Sequence, residues 1–207
     1  MNPFASLKEL RFEDMPEWES WSHSIFIKEE VRVFPNLEMK LDVSECPELV
    51  CGLPELASLH ELNLQKCDEA MSGGDEVDLR LNCLRIGLTG SLVAWERLVI
   101  GDCGGLTCLW QELSLMSLEN LEIMECPKLE SFPEMGLPPT LRFLKVYNCD
   151  GLKWMPHNYF SCALEYLRIE KCPSLICFPH GELPTTLKEL FIAHCEKVES
   201  LPEGMIH

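Results

Sequence analysis

Five cysteines, Cys103, Cys126, Cys149, Cys172 and Cys195, stand 23 residues apart, and each closes the phrase Leu-x-x-Leu-x-(Ile/Val)-x-x-Cys, with Trp95 replacing the first Leu of one copy. The phrase recurs over residues 118–129, 141–152, 164–175 and 187–198. Four equal intervals in succession mark a repeat protein, in which each unit takes the same local structure and stacks on the next.

The rest of the chain can be phased from that anchor. Trp95-x-x-Leu98-x-Ile100-x-x-Cys103 is the copy just upstream, Leu59-x-x-Leu62-x-Leu64-x-x-Cys67 is another, and Leu7-x-x-Leu10-x-Phe12 opens the array without its Cys. Two copies are imperfect. Leu37 to Leu41 carries one residue too many before Val43 and Cys46, and Leu81-x-x-Leu84-x-Ile86 lies only 14 residues before its successor. The expectation is one domain over 1–207 with about nine units, irregular at 13–36 and 68–94. The second irregular stretch begins Asp-Glu-Ala-Met-Ser-Gly-Gly-Asp-Glu and reads as a solvated excursion from the stack.

In Leu-x-x-Leu-x-Ile the second Leu and the Ile are two apart, so both face one side of a short strand while the residues between face the other. A single strand of this kind cannot bury its Leu face. Stacked units form a parallel sheet with one continuous apolar core, and a period in the low twenties with this spacing is the leucine-rich-repeat pattern. The return segments carry Phe132-Pro133, Met155-Pro156, Phe178-Pro179 and Leu201-Pro202, which oppose long helices. The fold class expected is therefore an α/β repeat solenoid, a leucine-rich-repeat horseshoe with a concave parallel sheet and a mostly irregular or 3₁₀, proline-containing convex side.

The chain is 46% hydrophobic and 25% charged, enough apolar residues for a folded domain. No apolar run reaches the roughly 18 residues of a membrane helix, so no membrane span is expected. The opening Met-Asn-Pro-Phe lacks the basic start of a signal peptide. A net charge of −17 opposes binding to nucleic acid. The six His residues are scattered and no Gly-x-Ser-x-Gly occurs, so no catalytic residue is assigned, and neither an enzyme nor a cofactor is expected.

Cys46, Cys67, Cys103, Cys126, Cys149, Cys172 and Cys195 all occupy the turn position after the strand, and no Cys-x-x-Cys pair exists. A metal site is thus not expected. The seven read instead as a structural ladder of reduced, buried thiols, which favours a reducing compartment.

The repeat phrase with its trailing Phe-Pro or Leu-Pro, the linker Gly-Leu-Pro-Pro-Thr-Leu (136–141), the ending Leu-Pro-Glu-Gly-Met (201–205) and the opening Met-Pro-Glu-Trp-x-x-Trp (15–21) resemble the leucine-rich-repeat region of plant nucleotide-binding leucine-rich-repeat (NBS-LRR) disease-resistance proteins of the coiled-coil class. That resemblance implies a cytoplasmic or nucleo-cytoplasmic immune-receptor segment. Its partners would be a pathogen effector, or a guarded host protein that effectors modify, and the nucleotide-binding domain of the same receptor. No Gly-x-x-x-x-Gly-Lys-Ser/Thr motif is present, so the chain reads as a fragment lacking the nucleotide-binding and signalling domains. The alternative is the substrate-receptor module of a ubiquitin ligase, whose repeats also place Cys after the strand but carry a convex helix.

A partner would meet the strand residues that face away from the core. Phe143, Lys145 and Tyr147 occupy these places in one unit, Tyr166 and Arg168 in the next, and Phe191 in the last. Between Leu141 and Cys172 five basic residues stand against three acidic ones, so a basic, aromatic docking patch is expected on an otherwise acidic chain. Trp18 and Trp21 read as a lid over the first unit's open core or as a docking surface for the missing domain.

Overall fold

The computed structural model describes residues 7–18, 40–47, 59–67, 95–109, 117–134, 136–156, 162–178 and 183–200. Each repeat phrase contributes one five-residue strand. These are β1 (Glu9–Glu13), β2 (Lys40–Ser44), β3 (Glu61–Gln65), β4 (Arg97–Gly101), β5 (Asn120–Met124), β6 (Phe143–Tyr147), β7 (Tyr166–Glu170) and β8 (Glu189–Ala193). They form one eight-stranded parallel sheet in chain order. The chain is a leucine-rich-repeat solenoid.

Register follows from the apolar pair in each strand. Leu98, Leu121, Leu144 and Leu167 stand opposite one another across β4 to β7, as do Ile100, Ile123, Val146 and Ile169. All eight are buried, whereas the residues between them are half-buried or exposed, apart from Gly101. Shifting one strand by a residue would turn every Leu to solvent, so the pattern admits one register. The unit with the extra residue after Leu37 still enters correctly, since Leu41 pairs with Leu62 and Val43 with Leu64. The unit read at Leu81 to Ile86 lies outside the described residues, and β3 pairs directly with β4.

The outer wall closes the same core. The Leu after each ladder Cys (Leu106, Leu129, Leu152, Leu175) is buried, as are Phe132, Met155 and Phe178, which precede the prolines. A second ladder of single parallel bridges links Cys108, Ser131, Trp154, Cys177 and Ser200. No helix, α or 3₁₀, occurs among the described residues. The described parts of the returns are turns, bends and these bridges, irregular as expected, while residues 110–116, 157–161 and 179–182 of the returns lie outside the described residues. In the proline-rich linkers, Thr140 and Thr186 hydroxyls donate to the carbonyls of Leu118 and Leu164 at 2.9 and 2.7 Å, pairing acceptors that the prolines leave without an N–H. At the N-terminal end Trp18 packs on Phe12 with ring centroids 4.7 Å apart, and Phe12 joins the margin of the core. Trp21 lies outside the described residues.

One backbone device recurs eight times. Asp14, Glu45, Lys66, Asp102, Glu125, Asn148, Lys171 and His194, each just after a strand, adopt left-handed φ between 51 and 56°. The conformation is unfavourable for most residues with a side chain. It aims the N–H of the first seven at the next strand, where it donates, for example, from Glu125 to the Tyr147 carbonyl at 2.8 Å. The ladder Cys then donates its S–H to the same kind of carbonyl, Cys149 to Tyr147 at 3.5 Å and Cys126 to Met124 at 3.3 Å. Small size, a weak donor and low hydration cost suit Cys to this buried turn.

All seven ladder cysteines are free thiols, six of them buried and Cys195 half-buried. Burial pushes the Cys67 thiol up to about 12. For Cys126 the Cys103 thiol pulls downward, but the Cys149 thiol and burial carry it up to about 12. Cys195, at the last rung, is held below the usual thiol range by the hydrogen bond from Cys172, whose own thiol is raised by the same contact and by burial. Since the thiolate is the nucleophile and Cys195 is half-buried where Cys67 and Cys126 are buried, alkylation at pH 8 should label Cys195 well before Cys67 or Cys126, and its rate should fall as pH is lowered. Peptide mapping by mass spectrometry checks this, and equal labelling of Cys126 and Cys195, or a native disulfide between ladder residues, would sink the assignment.

Candidate functional site

On the open face, strand alternation leaves three residues per strand, and registry between strands arranges them in rows. One row runs Asn120, Phe143, Tyr166, Glu189; the middle row runs Glu122, Lys145, Arg168, Phe191; the third runs Met124, Tyr147, Glu170, Ala193. All six residues expected in the docking patch, Phe143, Lys145, Tyr147, Tyr166, Arg168 and Phe191, therefore lie on three adjacent strands. Phe143 and Tyr166 pack side by side, centroids 6.3 Å apart and tilted by 43°. The Arg168 guanidinium lies 4.4 Å over the Phe191 ring. Tyr166 is 38% and Phe191 37% exposed, two of the four most exposed large hydrophobic residues among the described ones.

The electrostatics differ from the expectation. All five basic residues behind the local positive excess have partners. Arg142 bonds Glu165 and approaches Glu119 at 3.8 Å; Lys153 meets Glu130 at 3.0 Å. Lys145 lies 3.5 Å from Glu122 and 3.6 Å from the Met124 sulfur. Arg168 contacts Glu170 at 3.1 Å, and Lys171 donates to the Tyr147 hydroxyl at 2.7 Å. The Lys171 ammonium is held above the usual lysine range by that hydrogen bond. These partners sit 21 to 24 residues away in most pairs, one repeat along, where counting charges within a segment does not find them. The patch is thus an aromatic platform carrying satisfied ion pairs, rather than a bare basic surface.

Height still matters. The Arg168 side chain is 46% exposed above a Glu170 that is 18% exposed, and Lys145 is 29% exposed beside Glu122 at 14%. Cations project while carboxylates lie low on the sheet, so an approaching surface meets the guanidinium and ammonium first. Along the strand entries, Glu165 bonds Lys188 at 2.6 Å and Arg142 at 2.9 Å, and these cations, Lys188 foremost, hold its carboxyl below the usual carboxylate range. Such exposed pairs contribute little each but fix neighbouring repeats in register.

Among the described residues no cluster of His, Cys, Asp and Glu could hold a metal ion, and no helix is long and apolar enough to cross a membrane. Two curated plant proteins from Arabidopsis thaliana are similar to this chain. One, named as a disease resistance RPP13-like protein, is 31% identical over 157 residues, which covers 66% of this chain and 14% of the relative. The other, named as a disease resistance protein, is 41% identical over 75 residues, 35% of this chain and 5% of the relative. The matched segment is thus a small part of each relative's length. No family model and no solved structure matches the chain.

Proposed function

This chain is a leucine-rich-repeat segment of the plant disease-resistance kind, and from that premise we propose that it is the protein-recognition and regulatory module of an intracellular plant immune receptor. Its ligand would be a pathogen effector or a host protein that an effector has altered. The observation that carries this reading is the gathering of Phe143, Tyr166 and Phe191 with Arg168 on one exposed face of three adjacent strands. Aromatic and Arg side chains are the anchors that protein interfaces favour, and a rigid sheet presents them at little entropic cost. Because the cations already have partners, affinity rests mainly on desolvating the rings, and charge sets orientation. The free, buried thiols support a reducing compartment. The ubiquitin-ligase alternative called for a convex helix, which is absent among the described residues.

The test is binding of purified pathogen effectors to the 207-residue chain, measured by surface plasmon resonance, with a Tyr166→Ala and Arg168→Ala pair. Alanine at 168 is preferred to charge reversal, which would set two carboxylates together at Glu170. The control is Arg11→Ala with Glu13→Ala, an exposed ion pair on β1. The first pair should weaken binding by more than about 30-fold, as loss of two anchors does, and the control by less than about twofold. Equal losses in both pairs, or none in the first, would remove the patch from recognition.

A further inference from the structure

Charge on the open face changes sign along the sheet. At the outward positions of β1 to β3, Glu9, Glu13, Asp42 and Glu61 outnumber Arg11 and Lys40, whereas on β6 and β7 Lys145 and Arg168 outnumber Glu170. These last two cations have partners, yet neither is saturated. Lys145 lies 3.5 Å from Glu122, a carboxylate already closed on Arg97 at 2.6 Å, and its hydrogen bond goes to the Met124 sulfur at 3.6 Å, a weak acceptor. Arg168 gives Nη2 to Glu170 at 3.1 Å, and the planar guanidinium keeps further N–H donors. Stacking on the Phe191 ring at 4.4 Å holds that guanidinium in place, so its remaining donors are presented at little entropic cost. Two residues back along β7, about 6.6 Å away, stands the exposed ring of Tyr166 beside Phe143.

We propose that Arg168 is the seat for one carboxylate, from an Asp or Glu of the docked protein, and that the Phe143 and Tyr166 rings take an aromatic side chain two residues from it in an extended segment. The inference rests on the recognition role above and names the chemistry recognised there. Spacing supplies the match, because alternate side chains of an extended segment face one side at about 6.6 Å, the rise from Tyr166 to Arg168. Two tilted rings offer both faces and edges to a third, so an aromatic side chain gains more there than its area alone gives. Charge supplies the sign. An arginine fork with unused donors fits a planar carboxylate, and Lys145, in register with Arg168 on the neighbouring strand, adds a positive field. Lys145 and Arg168 against Glu170 leave one positive charge in excess, which a single carboxylate matches. A doubly charged phosphate would exceed it and meet Glu170 and Glu122 low on the sheet.

The probe is the peptide acetyl-Phe-Gly-Glu-amide, titrated into the 207-residue chain at pH 7 and followed by NMR of the Arg168 Nε–H and the Tyr166 ring. Peptides with Gln, Lys or phosphoserine in place of Glu are the comparisons. The Glu peptide should shift both sets of signals and bind at least about threefold more tightly than the Gln peptide, the modest advantage of a partly exposed ion pair, and 1 M NaCl should erase the difference. The Lys peptide should bind more weakly than the Gln peptide. Acetyl-Gly-Phe-Glu-amide, which turns its two side chains to opposite faces when extended, should also bind more weakly. Arg168→Met should bring the Glu peptide down to the level of the Gln peptide, and Lys145→Met should narrow the gap without closing it. The peptide comparisons are read on the unaltered chain, so they stand even if a variant fails to fold. Equal affinity for the Glu and Gln peptides, tighter binding of the phosphoserine peptide, no loss on moving Phe next to Glu, or a Glu preference that survives Arg168→Met would overturn the assignment. A Glu preference alongside effector binding indifferent to Tyr166→Ala with Arg168→Ala would uphold the carboxylate seat and remove the recognition role; effector binding lost in that pair without a Glu preference would overturn the seat alone.

Discussion

Leu144→Ala is expected to destabilise the chain by about 2–5 kcal/mol, the cost of a cavity that the surrounding core cannot close. Leu144 is fully buried in β6 and stands in register between Leu121 and Leu167, so its side chain fills space that neither neighbour can reach from its own strand. In a solenoid each unit touches only the units on either side, so a cavity in β6 weakens the joint between the two halves of the stack. Urea unfolding should show a lower midpoint, and a broadened or two-step transition if the halves separate. Cys149→Ala, five residues on, should cost only about 1 kcal/mol. It removes a weak S–H donor, but the Tyr147 carbonyl keeps the Glu125 N–H at 2.8 Å, so no buried acceptor is orphaned. A loss below about 1 kcal/mol for Leu144→Ala would mean that the repeats are not packed as one core.

The contrast between these two neighbours shows what was legible in the sequence. Leu144 and Val146 declare their facing through spacing alone, and with them the strand, its register and the solenoid. Period-2 alternation has a single physical cause in a one-sided sheet, so it could be read for β1, whose unit lacks the Cys and places Met15 in the exposed turn instead. The left-handed turn residues were not legible. Glu45, Lys66, Glu125 and Lys171 carry no local preference for that conformation, and the hydrogen bond to the next strand imposes it.

The candidate patch was legible as a set of positions and not as an electrostatic object. Phe143 beside Tyr166 and Lys145 beside Arg168 follow from a 23-residue period, because equivalent places in adjacent repeats are spatial neighbours. Pairing Lys145 with Glu122, or Lys171 with Tyr147, requires side chains to reach across to the neighbouring repeat, which depends on rotamers that no spacing encodes.

Gly151→Ala should destabilise the chain by about 1–3 kcal/mol although it adds a single methyl group on the surface side of a turn. Gly151 follows Cys149 and Asp150 in the turn that returns to Leu152, whose N–H donates to the Cys149 carbonyl at 3.3 Å. A Cβ built there would lie 2.6 Å from the Pro127 carbonyl oxygen, 3.1 Å from that of Leu129 and 3.3 Å from the Lys128 carbonyl carbon. All three are backbone atoms of the preceding repeat, so no rotamer change can make room, and the two turns must separate. Gly151 has no left-handed φ, so close approach between units, not chain conformation, is what the glycine serves. Lys128 and Ser174 occupy the same place in the flanking repeats, so the two neighbouring joints accept a side chain where this one does not. Gly101→Ala is the matched control, because its Cβ meets only the flexible Gln65 side chain at 3.4 Å and the unfolded chain loses freedom, so its effect should stay within about 1 kcal/mol of zero. Thermal unfolding of the two variants side by side decides the matter: if Gly151→Ala and Gly101→Ala shift the midpoint equally, the repeats are not in backbone contact at this turn, and the stack is held by its side-chain core alone.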